Sequence, residues 1–282
     1  QNSLEINIDK DYIIGLTDFL SRPSLKPRPT KTGYGLDTSV HITLRKSEIL
    51  LGVISQFFES EGIEYRYKRQ DSEGTPKEIL ISKPEGISKL RDLGKGTFIQ
   101  IAEQLEYLVA VDREYEGKII AGDEERFCKL YKPWVDMHPH WKSKKYTLDF
   151  FEEEFNIDIA GITDTFETPN PEYPESISTE YVAGAFDGKG MVSLLINEEP
   201  INNTGYGMSI SARIAISNPD IRVKPNFIRY FQNHGVKPRI SERDNRLKIR
   251  FDSVDQTEKF IEKIGGSTTY LYNLCELFYG QL

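Results

Sequence analysis

The chain has 282 residues, of which 38% are hydrophobic and 11% aromatic, a composition typical of folded domains and long enough for two of them. No apolar run approaches the roughly 20 residues that a membrane helix needs, and no signal-peptide pattern opens the chain. We therefore expect a cytoplasmic protein with no membrane partner. Cys128 and Cys275 lack metal-ligand spacing and are expected to be buried thiols.

The net charge of −8 is unevenly distributed along the chain. Residues 103–180 hold 19 acids against 8 bases, which leaves about +3 for everything else. Residues 22–46 carry six Lys and Arg against one acid, and residues 213–250 carry ten against three. Two basic segments in an otherwise acidic chain predict a paired basic surface suited to a polyanion.

The first predicted element is an apolar helical stretch, "YIIGLTDFL", which starts at Tyr12. The following "SRPSLKPRPT" contains three prolines, which cannot donate hydrogen bonds inside a sheet. We interpret it as a basic extended arm or an edge strand.

A strand over 40–44, a helix over 49–62 that ends on Gly62, and a strand over 78–82 come next. A helix over 101–111 is expected to close this half of the chain.

Residues 114–178 form an acidic, aromatic region that is interrupted by prolines. "TLDFFEEEF" is predicted to form an amphipathic helix, and "TPNPEYPES" reads as a linker. His138 and His140 stand two apart, but no cysteine or third histidine lies near, so a packed or surface role is favoured over a metal site.

A second copy of the first pattern starts at residue 181 with "YVAGAFDGKGMVSLLI". Thr204-Gly205-Tyr206-Gly207 repeats Thr32-Gly33-Tyr34-Gly35. Strands over 212–216 and 246–251, a helix over 226–235 and a closing helix over 259–264 follow. The repeat predicts an α+β, pseudo-twofold protein with an N-terminal half (residues 1–113), an acidic insert and linker (114–178) and a C-terminal half (179–282).

"YVAGAFDGKG" resembles the signature helix of the LAGLIDADG homing endonucleases, and "GLTD" with the later repeat extends the resemblance to the first half. The resemblance implies two αββαββα halves whose signature helices pack along a central pseudo-twofold axis. It also implies that an antiparallel four-stranded sheet in each half reads the DNA major groove. Small residues let such helices approach closely, which points to Gly15, Gly184 and Gly188.

In that family, an acid at the eighth motif position of each half holds divalent metals that activate water. The corresponding residues of this chain are Leu20 and Lys189, and neither binds a hard cation. Asp18 and Asp187 stand two positions earlier, where they are expected to cap or brace the helix ends. Lys83 resembles a basic residue that active family members place near the cleavage centre, and Asp252 is its expected counterpart.

The resemblance therefore predicts a double-stranded DNA-binding protein that has lost nuclease activity, needs no metal or other cofactor, and acts as a monomer associated with the nucleoid. The predicted DNA-binding residues are Lys and Arg of the basic segments and helix tip: Arg28, Lys31, Arg45, Lys46, Arg66, Lys68, Arg69, Lys189, Arg213, Arg239, Arg243, Arg246, Lys248 and Arg250.

Two other functions remain open at this point. One is an active, Mg²⁺-dependent endonuclease that recruits Asp18, Asp187 or another acid. The other is a maturase-like splicing cofactor that holds structured RNA on the same surface.

Overall fold

The computed structural model describes residues 9–43, 48–70, 76–115, 123–138, 145–162, 166, 170–201, 205–243, 246–251 and 253–267. Of these, residues 48, 69–70, 76, 115, 192–201, 205–221, 243, 246, 254 and 266 are described by their backbone alone. No helix among the described residues is long and apolar enough to cross a membrane.

The N-terminal half contains seven elements in the order αββαββα, which are α1 (Lys10–Leu20), β1 (Ser21–Thr30), β2 (Gly33–Thr43), α2 (Glu48–Ser60), β3 (Arg66–Gln70), β4 (Pro76–Ile81) and α3 (Pro84–Leu93). The four strands form one antiparallel sheet in the order β1-β2-β4-β3. Alternate strand residues such as Val40, Ile42, Ile79 and Ile81 are buried in the core.

The C-terminal half repeats this order with α7 (Thr179–Lys189), β5 (Gly190–Ile201), β6 (Gly205–Asp220), α8 (Lys224–Asn233), β7 (Arg239–Arg243), β8 (Arg246–Phe251) and α9 (Val254–Ile264). Its sheet has the equivalent order β5-β6-β8-β7. Phe186, Phe251 and Phe260 form an aromatic core beneath this sheet. The predicted α+β architecture of two αββαββα halves is thus confirmed.

The glycines predicted to end two helices do so. Gly62 follows α2 with φ of 64°, and Gly235 follows α8 with φ of 67°. Glycine adopts this left-handed conformation without the strain that a Cβ atom introduces, so the chain can turn sharply as it leaves each helix.

Three further helices lie between the halves: α4 (Ala102–Tyr115), α5 (Glu124–Asp136) and α6 (Leu148–Phe155). Thr147 caps α6, whose bounds match the predicted amphipathic helix. Aromatic side chains join α5 and α6 to the β1–β2 hairpin, with ring centroids 4.7 Å apart for Phe127 and Phe151 and 5.2 Å apart for Tyr34 and Phe151. The helical insert is therefore packed on the N-terminal half.

The structure corrects the sequence interpretation at the end of the first half. The predicted helix over 101–111 exists as α4, but the equivalent of the closing helix α9 is α3, which the sequence interpretation missed. Lys83 is the N-cap residue of α3 and Ser253 is the N-cap residue of α9. Ser253, rather than the expected Asp252, is therefore the counterpart of Lys83; Asp252 itself lies outside the described residues.

The segment predicted to be a linker contains no helix or strand over 170–178. It is nonetheless anchored on both sides, because Lys95 pairs with Glu172 at 3.0 Å and the Asn226 amide donates to the Pro174 carbonyl at 2.9 Å. The C-terminal half also contacts the start of α4, since Arg222 donates to the Gln100 carbonyl at 3.2 Å and to the Glu103 carboxylate.

Candidate nucleic-acid interface

Helices α1 and α7 pack against each other along the centre of the molecule, and this contact is called the helix seam below. A Cβ atom built on Gly15 would lie 2.1 Å from the Tyr181 carbonyl oxygen, and one built on Gly184 would lie 2.1 Å from the Tyr12 carbonyl oxygen. No side chain larger than hydrogen fits at those distances. The two backbones therefore meet directly, at the third position of each motif copy.

Two tyrosine–aspartate pairs cross the helix seam reciprocally. The Tyr12 hydroxyl donates to Asp187 at 2.6 Å, and the Tyr181 hydroxyl donates to Asp18 at 2.5 Å. In both copies the tyrosine precedes the aspartate of its own helix by six residues. Each carboxylate is thus held by the opposite helix, and both are almost completely buried.

Asp18 also accepts backbone N–H groups of Ile99, Gln100 and Ile101 at 2.9–3.1 Å, just before α4 begins. Burial raises the pKa of Asp18, while the Tyr181 hydroxyl and these N–H donors oppose that rise. Both carboxylate oxygens of Asp18 therefore accept hydrogen bonds from the protein itself and lie in its interior. The geometry is that of a brace between α1, α7 and α4.

The two helix tips carry residues of very different character. Leu20 is buried, and a Cβ atom on Gly188 would lie 3.2 Å from Leu20 Cγ. Lys189, the equivalent residue in α7, is exposed. No group of three or more His, Cys, Asp or Glu residues suited to a metal occurs in the described part of the chain.

Strands β1 and β5 begin directly at these tips, at Ser21 and Gly190. Both exits are extended, with φ of −76° at Ser21 and −66° at Gly190. Serine makes the same exit as glycine, so the positive φ that only glycine readily supplies is not needed there. Both sheets therefore extend away from the end of the helix seam.

In the N-terminal half, the sheet surface that faces away from the core is called the first outer face. Pro23, Leu25 and Pro27 of β1 are buried on the core side, and the residues between them point to the first outer face. Its exposed basic residues are Arg22, Lys26 and Arg28 on β1 and Arg66 and Lys68 on β3.

Several predicted DNA-binding residues of this half can be placed relative to the first outer face. Arg28 forms an exposed ion pair with Asp37 at 3.2 Å, and Lys31 is exposed in the β1–β2 turn. Arg69 lies in β3, where its backbone is opposite Glu78. Arg45 and Lys46 fall outside the described residues.

Three polar side chains of the first outer face form a chain of hydrogen bonds. His41 Nδ1 lies 2.5 Å from Glu78 Oε1, and His41 Nε2 lies 3.2 Å from Ser39 Oγ. Only 2% of the Glu78 side chain and 13% of the His41 side chain is exposed. Burial lowers the pKa of His41; the hydrogen bond and charge of Glu78 oppose this, and Lys68 and Lys26 add to it.

The equivalent sheet surface in the C-terminal half is called the second outer face. Leu247, Ile249 and Phe251 of β8 are buried, whereas Lys248 is exposed and Arg250 is half-buried. Arg239 is exposed and is opposite Arg250 in the register of β7 with β8. By the same register and strand alternation, positions 213, 243 and 246 belong to this face.

Lys83 lies outside both sets of basic residues. It is exposed and pairs with Glu64 at 2.5 Å, and the hydrogen bond and charge of Glu64 raise the pKa of Lys83. His138 packs against Trp134: its ring is 4.3 Å from that of Trp134, and its Nδ1 lies 2.7 Å from the Trp134 carbonyl oxygen. His140 is outside the described residues.

Sequence reasoning missed Arg22, Lys26, Ser39, His41 and Glu78. The alternation that places Arg22 and Lys26 on the outer face was present in the sequence, but the prolines between them obscured it. Ser39 and His41 are two positions apart on β2 and share a face, but Glu78 joins them only through the pairing of β2 with β4, which no local pattern encodes.

Comparison with known protein families finds no match, and neither does comparison with curated proteins. Solved structures do match. The chain is 12% identical to the LAGLIDADG meganuclease I-CpaMI bound to uncleaved DNA, with a TM-score of 0.68 over 97% of this chain and 90% of that one. It is 14% identical to the homing endonuclease I-LtrWI bound to target DNA, with a TM-score of 0.66 over 95% and 87%.

A third match, to the meganuclease I-AabMI bound to uncleaved DNA, has 10% identity and a TM-score of 0.63 over 92% of this chain and 84% of that one. These identities are too low to transfer an activity, but the matches cover 92–97% of this chain and therefore nearly all of its fold. The chain has the fold of the LAGLIDADG homing endonucleases.

Proposed function

We propose that the protein binds double-stranded DNA by sequence- or shape-dependent recognition and does not cut it. The observation that carries the proposal is the pairing of two basic outer faces with a non-acidic centre. Both sheets leave the end of the helix seam, where Leu20 and Lys189 stand in place of two acids.

The outer faces suit a DNA groove in shape and charge. The major groove is about 12 Å wide and admits β-strands, whose alternate side chains then point to base edges or phosphates. Arg22, Lys26 and Arg66 in one half and Arg239 and Lys248 in the other are exposed on such alternate positions. The solved structures of I-CpaMI and I-LtrWI, which hold DNA on this fold, support the assignment.

The residues of the centre do not fit the divalent metal that an endonuclease of this fold would need. Leu20 has no ligand atom, and the Lys189 ammonium repels a cation. Asp18 and Asp187 are buried and engaged by Tyr181 and Tyr12 across the helix seam. Lys189 is suited instead to a DNA phosphate, as an exposed point charge at the helix tip.

The test combines binding and cleavage on duplexes selected from a random pool. We expect binding to persist in EDTA, with no cut strands in Mg²⁺ or Mn²⁺. Lys189→Ala should weaken binding and lower the slope of log affinity against log salt by about one. Lys259→Ala is the matched control, because Lys259 is exposed on α9 and pairs with Asp255 at 3.0 Å.

Efficient metal-dependent cleavage by the unmodified protein would contradict the proposal and favour the endonuclease. Tighter, salt-sensitive binding to structured RNA than to any duplex would favour the maturase-like function. The proposal further predicts a monomer in complex with DNA, located in the cytoplasm at the nucleoid, which light scattering of the complex and cell imaging can check.

A further inference from the structure

The first outer face carries a buried hydrogen-bond relay that nothing in the DNA-binding assignment requires. Glu78, His41 and Ser39 are connected at 2.5 Å and 3.2 Å, in that order. Glu78 is buried beside the histidine on the same face of the sheet, whereas Ser39 and His41 are partly exposed there. A carboxylate that is hydrogen-bonded to one nitrogen of an imidazole fixes which ring nitrogen carries the proton, so the donors and acceptors of the relay are ordered from Ser39 towards Glu78.

At neutral pH the direction follows from the donors and acceptors. An ionised carboxylate only accepts, so His41 Nδ1–H donates to Glu78 and the unprotonated Nε2 accepts a hydrogen bond from the Ser39 hydroxyl. The Ser39 oxygen then presents only lone pairs outward. When His41 is protonated, Nε2–H donates to Ser39, and the serine hydroxyl is free to donate outward instead.

We propose that Glu78, His41 and Ser39 form a proton-controlled base-reading element, in which Ser39 selects a hydrogen-bond donor on DNA when His41 is neutral and an acceptor when His41 is protonated. The inference rests on the DNA-binding function proposed above. The donors that the major groove offers are the amino groups of adenine and cytosine, and the acceptors are adenine N7, guanine N7 and O6 and thymine O4.

The charges around His41 set the pH range of the change. The charged groups that face it are Glu78 on β4, Arg22 and Lys26 on β1, Asp37 on β2, and Arg66 and Lys68 on β3. Lys26 and Lys68, together with burial, hold the pKa of His41 below its ordinary value, so the neutral form dominates at neutral pH. Phosphates of bound DNA raise that pKa again, because they stabilise the imidazolium.

The experiment selects duplexes from a random pool at about pH 8 and at about pH 5.5, on either side of the ordinary range of histidine. We expect one base position in one half-site to change from cytosine at the higher pH to guanine or thymine at the lower, whereas adenine, which offers both a donor and an acceptor, should be tolerated at both. The relative affinities at that position should change by about five- to tenfold, since each wrong pairing leaves a polar group without a partner.

Two variants and one control make the result specific. Ser39→Ala should abolish the base preference at this position, and His41→Gln should make it independent of pH. Ser241→Ala, which removes an exposed serine of the second outer face, should leave the pH-dependent position intact. In the free protein, nitrogen NMR shifts of the His41 ring should report an Nδ1–H tautomer at neutral pH.

Duplex binding with the same base preference at both pH values, or a pH-dependent preference that persists in Ser39→Ala, would overturn the relay alone. An Nε2–H tautomer at neutral pH would also overturn it. Failure of the unmodified protein to bind any duplex would overturn the DNA-binding function and the relay together.

Discussion

At the scale of single residues, Asp112 illustrates how burial creates a pH-sensitive group away from the outer faces. The Thr38 hydroxyl donates to Asp112 Oδ1 at 2.7 Å, whereas Oδ2 is buried with no hydrogen-bond partner among the described residues. Burial raises the pKa of Asp112 to about 6, from an ordinary value of 3.8. The charged form is therefore the costly one in the folded protein.

This pKa predicts a pH-dependent loss of stability. Because the folded carboxyl binds its proton more tightly than the unfolded one, its contribution to the free energy of unfolding falls as pH rises from 3.8 towards about 6. Asp112→Asn keeps the acceptor for Thr38 but cannot ionise. We expect it to be more stable than the unmodified protein by about 1–3 kcal/mol at neutral pH, with the gain vanishing near pH 4. Urea unfolding across this range measures the difference, and a gain that is constant with pH would contradict it.

At the scale of secondary-structure elements, the helix seam leaves no room for a single methyl group. Gly184→Ala would place a Cβ atom 2.1 Å from the Tyr12 carbonyl oxygen, so the helices must separate. We expect a loss of about 1–3 kcal/mol or more in unfolding free energy. Gly52→Ala in α2 is the matched control, since its Cβ would meet no atom within 4 Å, and there alanine should instead stabilise the helix slightly. Equal effects of the two substitutions would mean that α1 and α7 do not pack as closely as described.

The reciprocal tyrosine–aspartate pairs make a second prediction about the same elements. Tyr181→Phe removes the hydroxyl that donates a hydrogen bond to Asp18 at 2.5 Å, and both residues are buried away from solvent. We expect it to cost about 1.5–3 kcal/mol of unfolding free energy, because the bond is to a buried charge. Tyr67→Phe removes a hydroxyl that contacts Ser55 at 2.8 Å from a residue that is 43% exposed, and it should cost much less. Guanidinium unfolding of both variants checks the order.

The elements also show what sequence reasoning can reach. Helices such as α2 and α8 were predictable because, in each, the helical spacing of apolar residues ends at a glycine that marks the helix C-terminus. Strand β1 was only half predictable, since prolines argue against a sheet interior but not against an edge. All three prolines occupy odd positions, so their missing N–H groups lie on one side of the strand, and an edge strand such as β1 leaves one of its sides unpaired within its sheet. Helix α3 was missed because "PEGISKLRDL" has few apolar residues and its buried face, Gly86, Ile87 and Leu90, is narrow.

At the scale of the whole molecule, the pseudo-twofold arrangement predicts a division of the DNA site. Lys26 belongs to the first outer face and Arg239 to the second. Lys26→Ala should reduce protection of one half-site in hydroxyl-radical footprinting, and Arg239→Ala should reduce protection of the other, each with a modest loss of affinity. Lys259→Ala should change neither. Loss of protection in the same half-site for both variants would exclude the proposed orientation.

The overall architecture could be predicted because the repeat supplies two independent copies of each signal. The chemistry of the interface could be predicted only in part. Alternation along the chain predicted Arg66, Lys248 and Arg239 as DNA-facing residues, which stays a prediction, but a linear pattern carries no information about which side chains meet across strands. His41 and Glu78 are 37 positions apart in sequence and become neighbours only through the register of β2 with β4.

The crossed tyrosine–aspartate contacts also bear on how such a protein can be taken apart and rebuilt. Each half presents a tyrosine and an aspartate six positions apart, and each needs the opposite member from the helix it faces. Two halves that share this spacing can each supply the tyrosine hydroxyl that donates to the aspartate of the other half. The helix seam therefore has the same set of donors and acceptors on both sides. A chimaera that joins this chain's C-terminal half to another half with the same spacing should assemble with both carboxylates hydrogen-bonded across the helix seam. A chimaera whose second half lacks the spacing should leave Asp187 buried without the tyrosine donor from the facing helix.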